Sequence, residues 1–379
     1  MDSLGRLRTL DNFKLLASLL IVSIHTAPLS SFSETADMVV TLIIARVAVP
    51  FFLMVTGFFL LPRYIRSKAD TVTRTEPAAG AGIDVNSKAG IDSAAEDKAP
   101  LIRFYKRASI LYVAAILIYL PANIYAGHFA GSDGAFLFLK ALFFDGTMYH
   151  LWYLPASMLG VALLYPLISR FGPGAAFVVS VALYIAGLLG DSYYGLVLES
   201  PVLSQVYNAI FAVSSYTRNG VFYAPVFLML GAMIGRNRTE TLSAQDSPAL
   251  RNPSKTNAIG LIVSMSAMII EGVAVHHTGQ PRHDSMYVFL LPVMYFLFRA
   301  LLASHTEKGR VHYIPMLIYL IHPMMIIALR GIAKLTGMQM LFVENSLLHY
   351  LLVCLLSLGF SAVVMKVFRS IQKAVKNER

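Results

Sequence analysis

Long apolar stretches alternate along the chain with short breaks that are polar or rich in glycine and proline. Ten of these stretches approach the length of about 20 residues that a helix needs to cross the hydrocarbon core of a bilayer. They cover residues 11–29, 37–61, 104–125, 150–170, 173–190, 219–236, 257–276, 286–303, 312–331 and 345–368. The pattern predicts an all-α integral membrane protein with about ten transmembrane helices, whose even number places both termini on one side.

Composition and charge support this fold class. The chain of 379 residues is 56% hydrophobic and 14% charged, whereas soluble domains carry about 25% charge. Most of the 31 lysines and arginines lie at the chain ends and in alternate connections, which predicts that both termini are cytoplasmic. The net charge of +10 is therefore interpreted as an orientation signal, and no nucleic-acid partner is expected. The single cysteine, Cys354, excludes an intrachain disulfide, and we predict no metal site and no tightly bound cofactor.

The polar segments indicate one polytopic membrane domain over residues 1–379. Residues 65–100 are rich in alanine, glycine, serine and aspartate, which predicts a disordered cytoplasmic loop. Residues 237–255 are predicted to form a shorter cytoplasmic loop, and 369–379 a basic cytoplasmic tail. No internal repeat is visible.

The first predicted helix carries polar residues on one face. Asp11, Lys14, Ser18 and His25 follow helical same-face spacings in an otherwise apolar run, and His25 lies about 16.5 Å beyond Lys14 along the axis. Polar side chains inside a crossing usually line the bundle interior, so the stripe predicts a functional channel. A neutral imidazole there can take a proton from a substrate hydroxyl or relay protons in a transporter. The structural alternative is that Lys14 extends to the inner headgroups and His25 bonds a neighbouring helix.

Three cations cluster at the start of the third predicted helix. Arg103, Lys106 and Arg107 lie within two helical turns at the inner interface. Together with Lys14, they could bind the phosphates of a cytoplasmic nucleotide-bearing donor. They could equally be ordinary anchors at the inner headgroups.

Further polar residues lie within crossings or at their outer ends. Arg46 lies in the second helix, and Tyr319 and His322 are three residues apart before a proline; these three are candidates for an oxyanion contact or a channel lining. Arg46 could instead pair with a carboxylate or a backbone carbonyl. Later in the same helix, Thr56 and Gly57 offer a small surface for close helix contact.

The candidate acceptor mouth consists of outer residues near two helix starts: His150, Trp152, Tyr153, Arg218 and Asn219. Arg218 and Asn219 suit the orientation of a polar acceptor. For Trp152 and Tyr153 an interfacial aromatic belt is the structural alternative.

Several of these motifs together resemble the integral-membrane acyltransferase-3 family, whose members carry acyl groups from a cytoplasmic CoA thioester to hydroxyls on the outer side. The motifs are Lys14 followed ten residues later by His25, "RVAVPFFLMVTGFF", the basic run at 103–107 and "YLIHP". The resemblance implies that His25 is catalytic and that Arg103 and Arg107 contact the donor phosphates. It further implies an acyl-CoA such as acetyl-CoA as donor, and a location in the bacterial cytoplasmic membrane. The family usually has arginine where this chain has Lys14.

Within that family, "IHTAPL", "HLWYLPASMLG" and "TRNGVFYAPVFLMLGAMIG" look most like the membrane half of the vancomycin-resistance membrane serine racemases. Those proteins append a soluble racemase domain, whereas this sequence ends after the basic tail, so racemization is not expected of it. Many glycan-modifying members have a glutamate near the position of "LWYLPASMLG", which this chain lacks.

The sequence thus predicts a membrane O-acyltransferase with His25 as general base. It would move an acyl group, in particular acetyl, from cytoplasmic acyl-CoA to a hydroxyl of a cell-envelope glycan or small molecule. The alternatives are a transporter of serine or a similar small polar solute, and a structural membrane protein. The expected partners are the lipid bilayer, the acyl-CoA and the acceptor; the sequence leaves the oligomeric state open.

Overall fold

A computed structural model of the chain describes residues 8–65, 87–243, 253–303 and 313–377, with side chains at 8–65, 98–237, 255–303 and 313–373. The described residues form helices and connections without a β-strand. The α-helices are α1 (Arg8–Thr26), α2 (Glu34–Met38), α3 (Ala48–Leu60), α4 (Ser87–Tyr125), α5 (Gly134–Lys140), α6 (Tyr153–Leu189), α7 (Tyr194–Leu198), α8 (Pro201–Val213), α9 (Ala224–Ser243), α10 (Pro253–His277), α11 (Leu290–Ala303), α12 (Ile314–Thr336) and α13 (Ser346–Asn377). Short π-helical segments (Val39–Ile43, Ala141–Asp145 and Met340–Glu344) and a 3-10 segment (Ile44–Val47) adjoin them.

Each of the ten predicted stretches coincides with a helix, and six helices are long and apolar enough to cross a membrane within the described part of the chain. They are Glu34–Leu60, Lys98–Tyr125, Tyr153–Leu189, Lys255–His277, Ile314–Thr336 and Ser346–Lys373. The chain is therefore an all-helical, multi-pass membrane protein. The number of about ten crossings and the cytoplasmic location of both termini stay predictions.

A kink inside α6 lies at the break between two of the predicted stretches. Gly172 interrupts this helix with φ 87° and ψ 170°, a left-handed conformation that glycine adopts without a steric penalty. Pro173 follows, and proline cannot donate the backbone hydrogen bond that would continue the helix. The kink separates the helical stretches that the sequence predicts as 150–170 and 173–190.

Helices extend further than predicted into the polar segments. The backbone of α4 is helical from Ser87, within the predicted disordered loop at 65–100, because the alanine-rich sequence before the crossing continues its helical hydrogen bonding. Residues 66–86 lie outside the described residues. Similarly, α9 reaches Ser243 and α10 begins at Pro253 inside the predicted loop at 237–255, and α13 reaches Asn377 inside the predicted tail at 369–379.

The chain divides into two compact units. The first comprises Met1–Phe52, Asp191–Gly195 and Pro248–Arg379, and the second comprises Leu53–Gly190 and Leu196–Ser247. In the first unit α1 packs against α12, α13 and the π and 3-10 segments before α3, and α10 packs against α11. In the second unit α6 packs against α9 and α4. The single polytopic domain over 1–379 stays a prediction.

An apolar cluster ties α1 to α12 and α13 in the first unit. Its buried members are Val22, Ile318, Ile326, Leu329, Val353 and Cys354. Lipid tails are as apolar as these side chains, so close van der Waals packing rather than escape from water favours the contact. The cluster fixes the C-terminal half of α1 against α12, and this position matters for the site described below.

Glycines bring two helical segments of the second unit into backbone contact. A Cβ on Gly57 would lie 2.0 Å from the carbonyl oxygen of Leu228, and one on Gly231 would lie 2.1 Å from that of Met54. Only a residue without a Cβ allows this approach, as at many helix interfaces in membranes. The predicted close-contact surface at Gly57 is thereby confirmed.

Two buried carboxylates hold the chain just before α11 in the first unit. Asp191 accepts hydrogen bonds from the Ser285 amide (2.8 Å), the Ser285 hydroxyl (2.5 Å) and the Met286 amide (2.9 Å). Glu271 accepts from the Tyr193 hydroxyl and from the backbone amides of residues 288 and 289. Burial, reinforced by the Glu271 carboxylate, raises the pKa of the Tyr193 hydroxyl, so this hydroxyl remains a donor. The backbone entering α11 is thus satisfied by side chains.

Replacing Asp191 by asparagine is expected to destabilise the protein. The amide keeps one acceptor oxygen where the carboxylate had two, and it places an NH2 group against buried donors, which costs about 2 kcal/mol. Thermal unfolding in detergent measures the effect. The control is Asp133→Asn, because Asp133 is exposed and its side chain does not cap α5. Equal melting temperatures for the two variants would contradict this role of Asp191.

Candidate functional site

The end of α1 places His25 in a fixed local backbone. The helix ends at Thr26, and Ala27 takes a left-handed conformation with φ 47°, which costs a non-glycine residue about 1 kcal/mol. Two residues later the Leu29 amide donates to the Asp37 carboxylate at 2.8 Å. The chain therefore turns away immediately after His25 and is held there by a side chain of α2.

His25 stacks on a second histidine of the same unit. The ring centroids of His25 and His322 are 5.3 Å apart, and the ring planes differ by 22°. Nearly parallel rings touch through their faces, so this contact does not itself occupy a ring nitrogen of His25. The stacking restricts the orientation of the His25 ring, and this is the arrangement that a positioned base requires.

Backbone carbonyls fix the tautomer of His322. Its Nδ1 lies 2.9 Å from the Tyr319 oxygen and 3.1 Å from the Ile318 oxygen. Carbonyl oxygens only accept, so Nδ1 carries the proton and a neutral His322 has its lone pair at Nε2. His322 is fully buried. The structure thus brings His322 against His25, and Tyr319 lies in the preceding turn of the same helix as His322. The sequence did not predict the contact between the two histidines.

The predicted polar stripe of α1 is partly satisfied within the helix. The Lys14 ammonium lies 2.7 Å from an oxygen of Asp11, three residues earlier on the same face. Ser18 is buried and donates its hydroxyl to the Leu15 carbonyl. The pair is partly buried, and an ion pair at this helical spacing contributes a few tenths of a kcal/mol. A ligand at Lys14 would share its positive charge with Asp11.

Arg46 contacts a backbone carbonyl at an irregular point of the second helix. The helix changes from π to 3-10 geometry at Ile43, where φ is −117° and ψ is −68°. The Leu42 carbonyl accepts from the Tyr287 hydroxyl at 2.9 Å and, at 3.4 Å, from Nε of Arg46. This is the carbonyl pairing that the sequence allowed as the structural alternative for Arg46. Irregular helical turns are frequent at functional sites.

The three clustered cations lie on the surface of α4 in the second unit. Arg103, Lys106 and Arg107 are exposed, and no carboxylate among the described residues pairs with them. Beside them Tyr105 donates to the Met158 carbonyl at 2.9 Å and fixes the helix to α6. The structure brings these three cations together on one helix face, but places Lys14 and His25 in the first unit.

Residues of the predicted acceptor mouth lie together in the second unit. The Arg218 guanidinium lies over the Tyr216 ring at 4.3 Å and over the Trp152 ring at 5.6 Å from the centroid. Trp152 also meets Tyr223 edge-on at 5.7 Å. The sequence thus correctly grouped Arg218 with Trp152, although nothing in it specified the stacking.

Asn219 bonds within its own loop, and its direct contact with an acceptor stays a prediction. It is buried, and its side-chain amide donates to the Ser214 hydroxyl at 3.1 Å and the Tyr216 carbonyl at 2.8 Å. Its side-chain oxygen accepts from the amides of residues 221 and 222. All polar groups of this side chain are engaged in the turn, because asparagine can replace the missing backbone partners there. Asn219 is therefore a positioning residue for Arg218.

The two remaining mouth residues are packed against neighbouring side chains. His150 is buried, with its ring edge-on to Tyr119 at 5.0 Å and to Tyr149 at 5.6 Å. The Tyr153 hydroxyl lies 3.5 Å from that of Thr56. Direct contact of His150 and Tyr153 with an acceptor stays a prediction.

The chain matches a family of acyltransferases. A family profile described as "Acyltransferase domain", of the acyltransferase-3 type, covers residues 7–366. Two proteins of Enterococcus faecalis named "Amino-acid racemase" are 38% and 32% identical over 96% and 97% of this chain. A protein of Enterococcus gallinarum named "Serine/alanine racemase" is 30% identical over 94% of the chain.

The aligned region is 45%, 47% and 46% of those three proteins, so the chain spans about half the length of the curated relatives it matches. No solved structure matches the chain significantly. The profile covers nearly all of the chain, including both stacked histidines and the exposed cations of α4. The chain therefore belongs to the acyltransferase-3 family of membrane proteins.

Proposed function

We propose that this protein is a membrane O-acyltransferase that moves an acetyl group from cytoplasmic acetyl-CoA to a hydroxyl of a cell-envelope glycan or small molecule. The observation that carries the proposal is the histidine pair at the end of α1. His25 lies face to face with buried His322 at 5.3 Å, within a chain whose family is defined by acyl transfer. We place the protein in the bacterial cytoplasmic membrane.

In the proposed reaction His25 acts as the general base. Its neutral imidazole takes the proton of the acceptor hydroxyl as that oxygen attacks the thioester carbonyl. The new C–O bond forms, the C–S bond breaks, and the CoA thiolate leaves with the proton that His25 returns. His322 is a positioning residue, since its fixed tautomer and burial hold the ring on which His25 stacks.

The developing oxyanion needs a donor near His25. Arg46 and Tyr319 are the candidates, because both belong to segments that pack against α1. Arg46 is the stronger of the two on charge. A charge-assisted bond to an anion is roughly twice as strong as a neutral one.

The donor is proposed to bind at the exposed cations of α4. CoA carries several phosphates, and the arginine fork matches their oxygens in a bidentate fashion. Arg103 and Arg107 are one helical turn apart and lack a carboxylate partner among the described residues. Their charges are therefore available to a polyanionic ligand.

Replacing both Arg103 and Arg107 by alanine is expected to weaken CoA binding by about tenfold or more at low salt, because each change removes a charge-assisted phosphate contact. The difference should shrink as salt screens the remaining charges. Calorimetric titration of CoA at two salt concentrations measures both effects. The control is Lys366→Ala with Arg369→Ala, two exposed cations one turn apart on α13. Equal CoA affinity in both double variants would move the donor site elsewhere.

The proposed activity is tested with the full chain in lipid nanodiscs supplied with acetyl-CoA. We expect release of free CoA thiol above the rate in empty nanodiscs, and a faster rate when a hydroxylated acceptor is added. If the thioester persists at the empty-nanodisc rate with every donor chain length tested, the acyltransferase assignment is wrong.

A second candidate is a transporter of serine or a similar small polar solute. The names of the relatives favour it, since proteins called amino-acid racemases match this chain over about half their length. In that case the stacked histidines would relay protons along the transport route. Accumulation of serine by proteoliposomes distinguishes this candidate from acyl transfer.

A further inference from the structure

Arg218 is a cation held at a fixed place without a protein anion. Its side chain is half-buried, and within the described residues no carboxylate lies within salt-bridge distance of it. Its Nε is shielded from solvent and has no acceptor among those residues. A buried donor without an acceptor costs about 1–3 kcal/mol, so a native structure that keeps one calls for an explanation.

The loop that carries Arg218 is rigidly held. Thr217 is fully buried and donates its hydroxyl to the Gly187 carbonyl at 2.8 Å. The Ser215 amide donates to both oxygens of Asp145, at 2.9 and 3.2 Å. With the four side-chain bonds of Asn219, these contacts fix the backbone on both sides of Arg218. Arg218 is therefore pre-organised, which lowers the entropic cost of binding a ligand.

The acidic residue near this loop, Asp145, accepts hydrogen bonds from the loop and forms no ion pair with Arg218. Asp145 uses both oxygens on the Ser215 amide, and one of them also lies 3.5 Å from the Ser214 hydroxyl. The neighbouring cation Lys140 donates to the Phe211 carbonyl at 2.9 Å. Asp145 and Lys140 thus bond to groups other than Arg218, whose guanidinium contacts the two aromatic rings.

Aromatic rings cover the guanidinium and direct its remaining donors. Contacts over Tyr216 and Trp152 remove water from the flat surface of the group, and a cation over a ring is stabilised without using its N–H bonds. The N–H bonds lie in the plane of the guanidinium, so contacts over its flat surface do not use them. A planar, bidentate acceptor such as a carboxylate fits this edge.

We infer that Arg218, with Trp152 and Tyr216, binds the carboxylate of a small hydroxylated substrate. This inference rests on the proposed function and narrows its acceptor to a hydroxy acid or amino acid rather than an uncharged glycan. One guanidinium matches a singly charged carboxylate. A phosphate dianion, whether free or on a lipid, calls for further cations, and the neighbouring Lys140 ammonium already donates to the Phe211 carbonyl.

The chain reports on this site directly, because Trp152 is its single tryptophan. Neutralising the guanidinium beside the indole changes the electric field at the indole and therefore its emission. We propose titrating the full chain with sodium lactate at constant ionic strength. The protein is held in detergent micelles, so that no other tryptophan is present in the sample. Lactamide, which replaces the carboxylate by a neutral amide, and inorganic phosphate serve as comparison probes.

The expected result is a saturable change in Trp152 emission with lactate and none with lactamide or phosphate. Arg218→Gln should abolish it, and Arg218→Lys should weaken apparent affinity by about tenfold, since lysine keeps the charge but loses the bidentate edge. The matched control is Arg282→Gln, which removes an arginine stacked over Tyr194 in the other unit and should leave the titration unchanged. Size-exclusion profiles identify any variant that fails to fold, and Arg218→Lys then carries the comparison.

Three outcomes would overturn the inference. The first is a lactate titration without a saturable change, and the second is an equal response to lactamide. The third is a response to phosphate alone, or to the phosphatidylglycerol content of vesicles without added lactate, which would assign the site to a phosphate. The titration needs no acyl transfer, so a positive result in a protein that consumes no acetyl-CoA would reject only the proposed function. A negative result in an active acyltransferase would reject only the carboxylate site.

Discussion

Alanine at position 25 is expected to reduce acetyl-CoA consumption to the rate of empty nanodiscs. A positioned general base contributes about 10²–10⁴-fold to rate, and the proposed mechanism gives that role to the His25 imidazole. Alanine also removes the ring that stacks on His322. Because alanine continues a helix well, we expect α1 to remain folded and CoA binding to persist.

The matched control for this variant is His277→Ala. His277 is exposed at the end of α10, and its Nδ1 bonds only to a backbone carbonyl one turn earlier, at 2.8 Å. We expect it to keep the wild-type rate of CoA thiol release. A His25→Ala protein that retains more than half of that rate, or an equal loss in both variants, would remove His25 from the chemistry.

Among the described glycines, Gly57→Ala is expected to be the most destabilising single methyl addition. The added Cβ would lie 2.0 Å from the Leu228 carbonyl oxygen. Both groups belong to helical backbones, so no rotamer change relieves the overlap and the helices must separate. We expect a loss of about 3 kcal/mol or more, measured as the melting temperature and the monodisperse fraction after purification in detergent.

Gly331→Ala provides the comparison within a helix of the same kind. A Cβ at Gly331 meets no atom within 4 Å, and alanine favours a helix over glycine by about 1 kcal/mol. This variant should be as stable as wild type or slightly more so. If Gly57→Ala and Gly331→Ala have the same melting temperature, the close contact between residues 53–60 and α9 does not limit stability.

Hydrophobic periodicity predicted where the helices lie, because each crossing is specified locally. The length of an apolar run sets the helix, and a glycine next to a proline sets a break, as at Gly172. Local sequence was a poorer guide to helix boundaries where a helix extends into a polar segment. The helical extension of α4 to Ser87 was missed because a polar, alanine-rich sequence suits both a loop and a helix.

Contacts between helices far apart in sequence were not predictable in the same way. His25 and His322 were singled out separately as costly polar residues in apolar runs, but their stacking depends on how α1 packs against α12. Likewise, Asp191 stood in a connection without any local signal, and only the fold brings Ser285 to it. By contrast, the pairing of Asp11 with Lys14 follows from their spacing on one helix.

The central claim is acyl transfer rather than transport, and one preparation tests it most directly. Full-length protein in sealed proteoliposomes is given radiolabelled acetyl-CoA in one sample and radiolabelled serine in another, with empty liposomes alongside. We expect consumption of the thioester, sensitive to His25→Ala, without serine accumulation above empty liposomes. Serine accumulation with an intact thioester would contradict it.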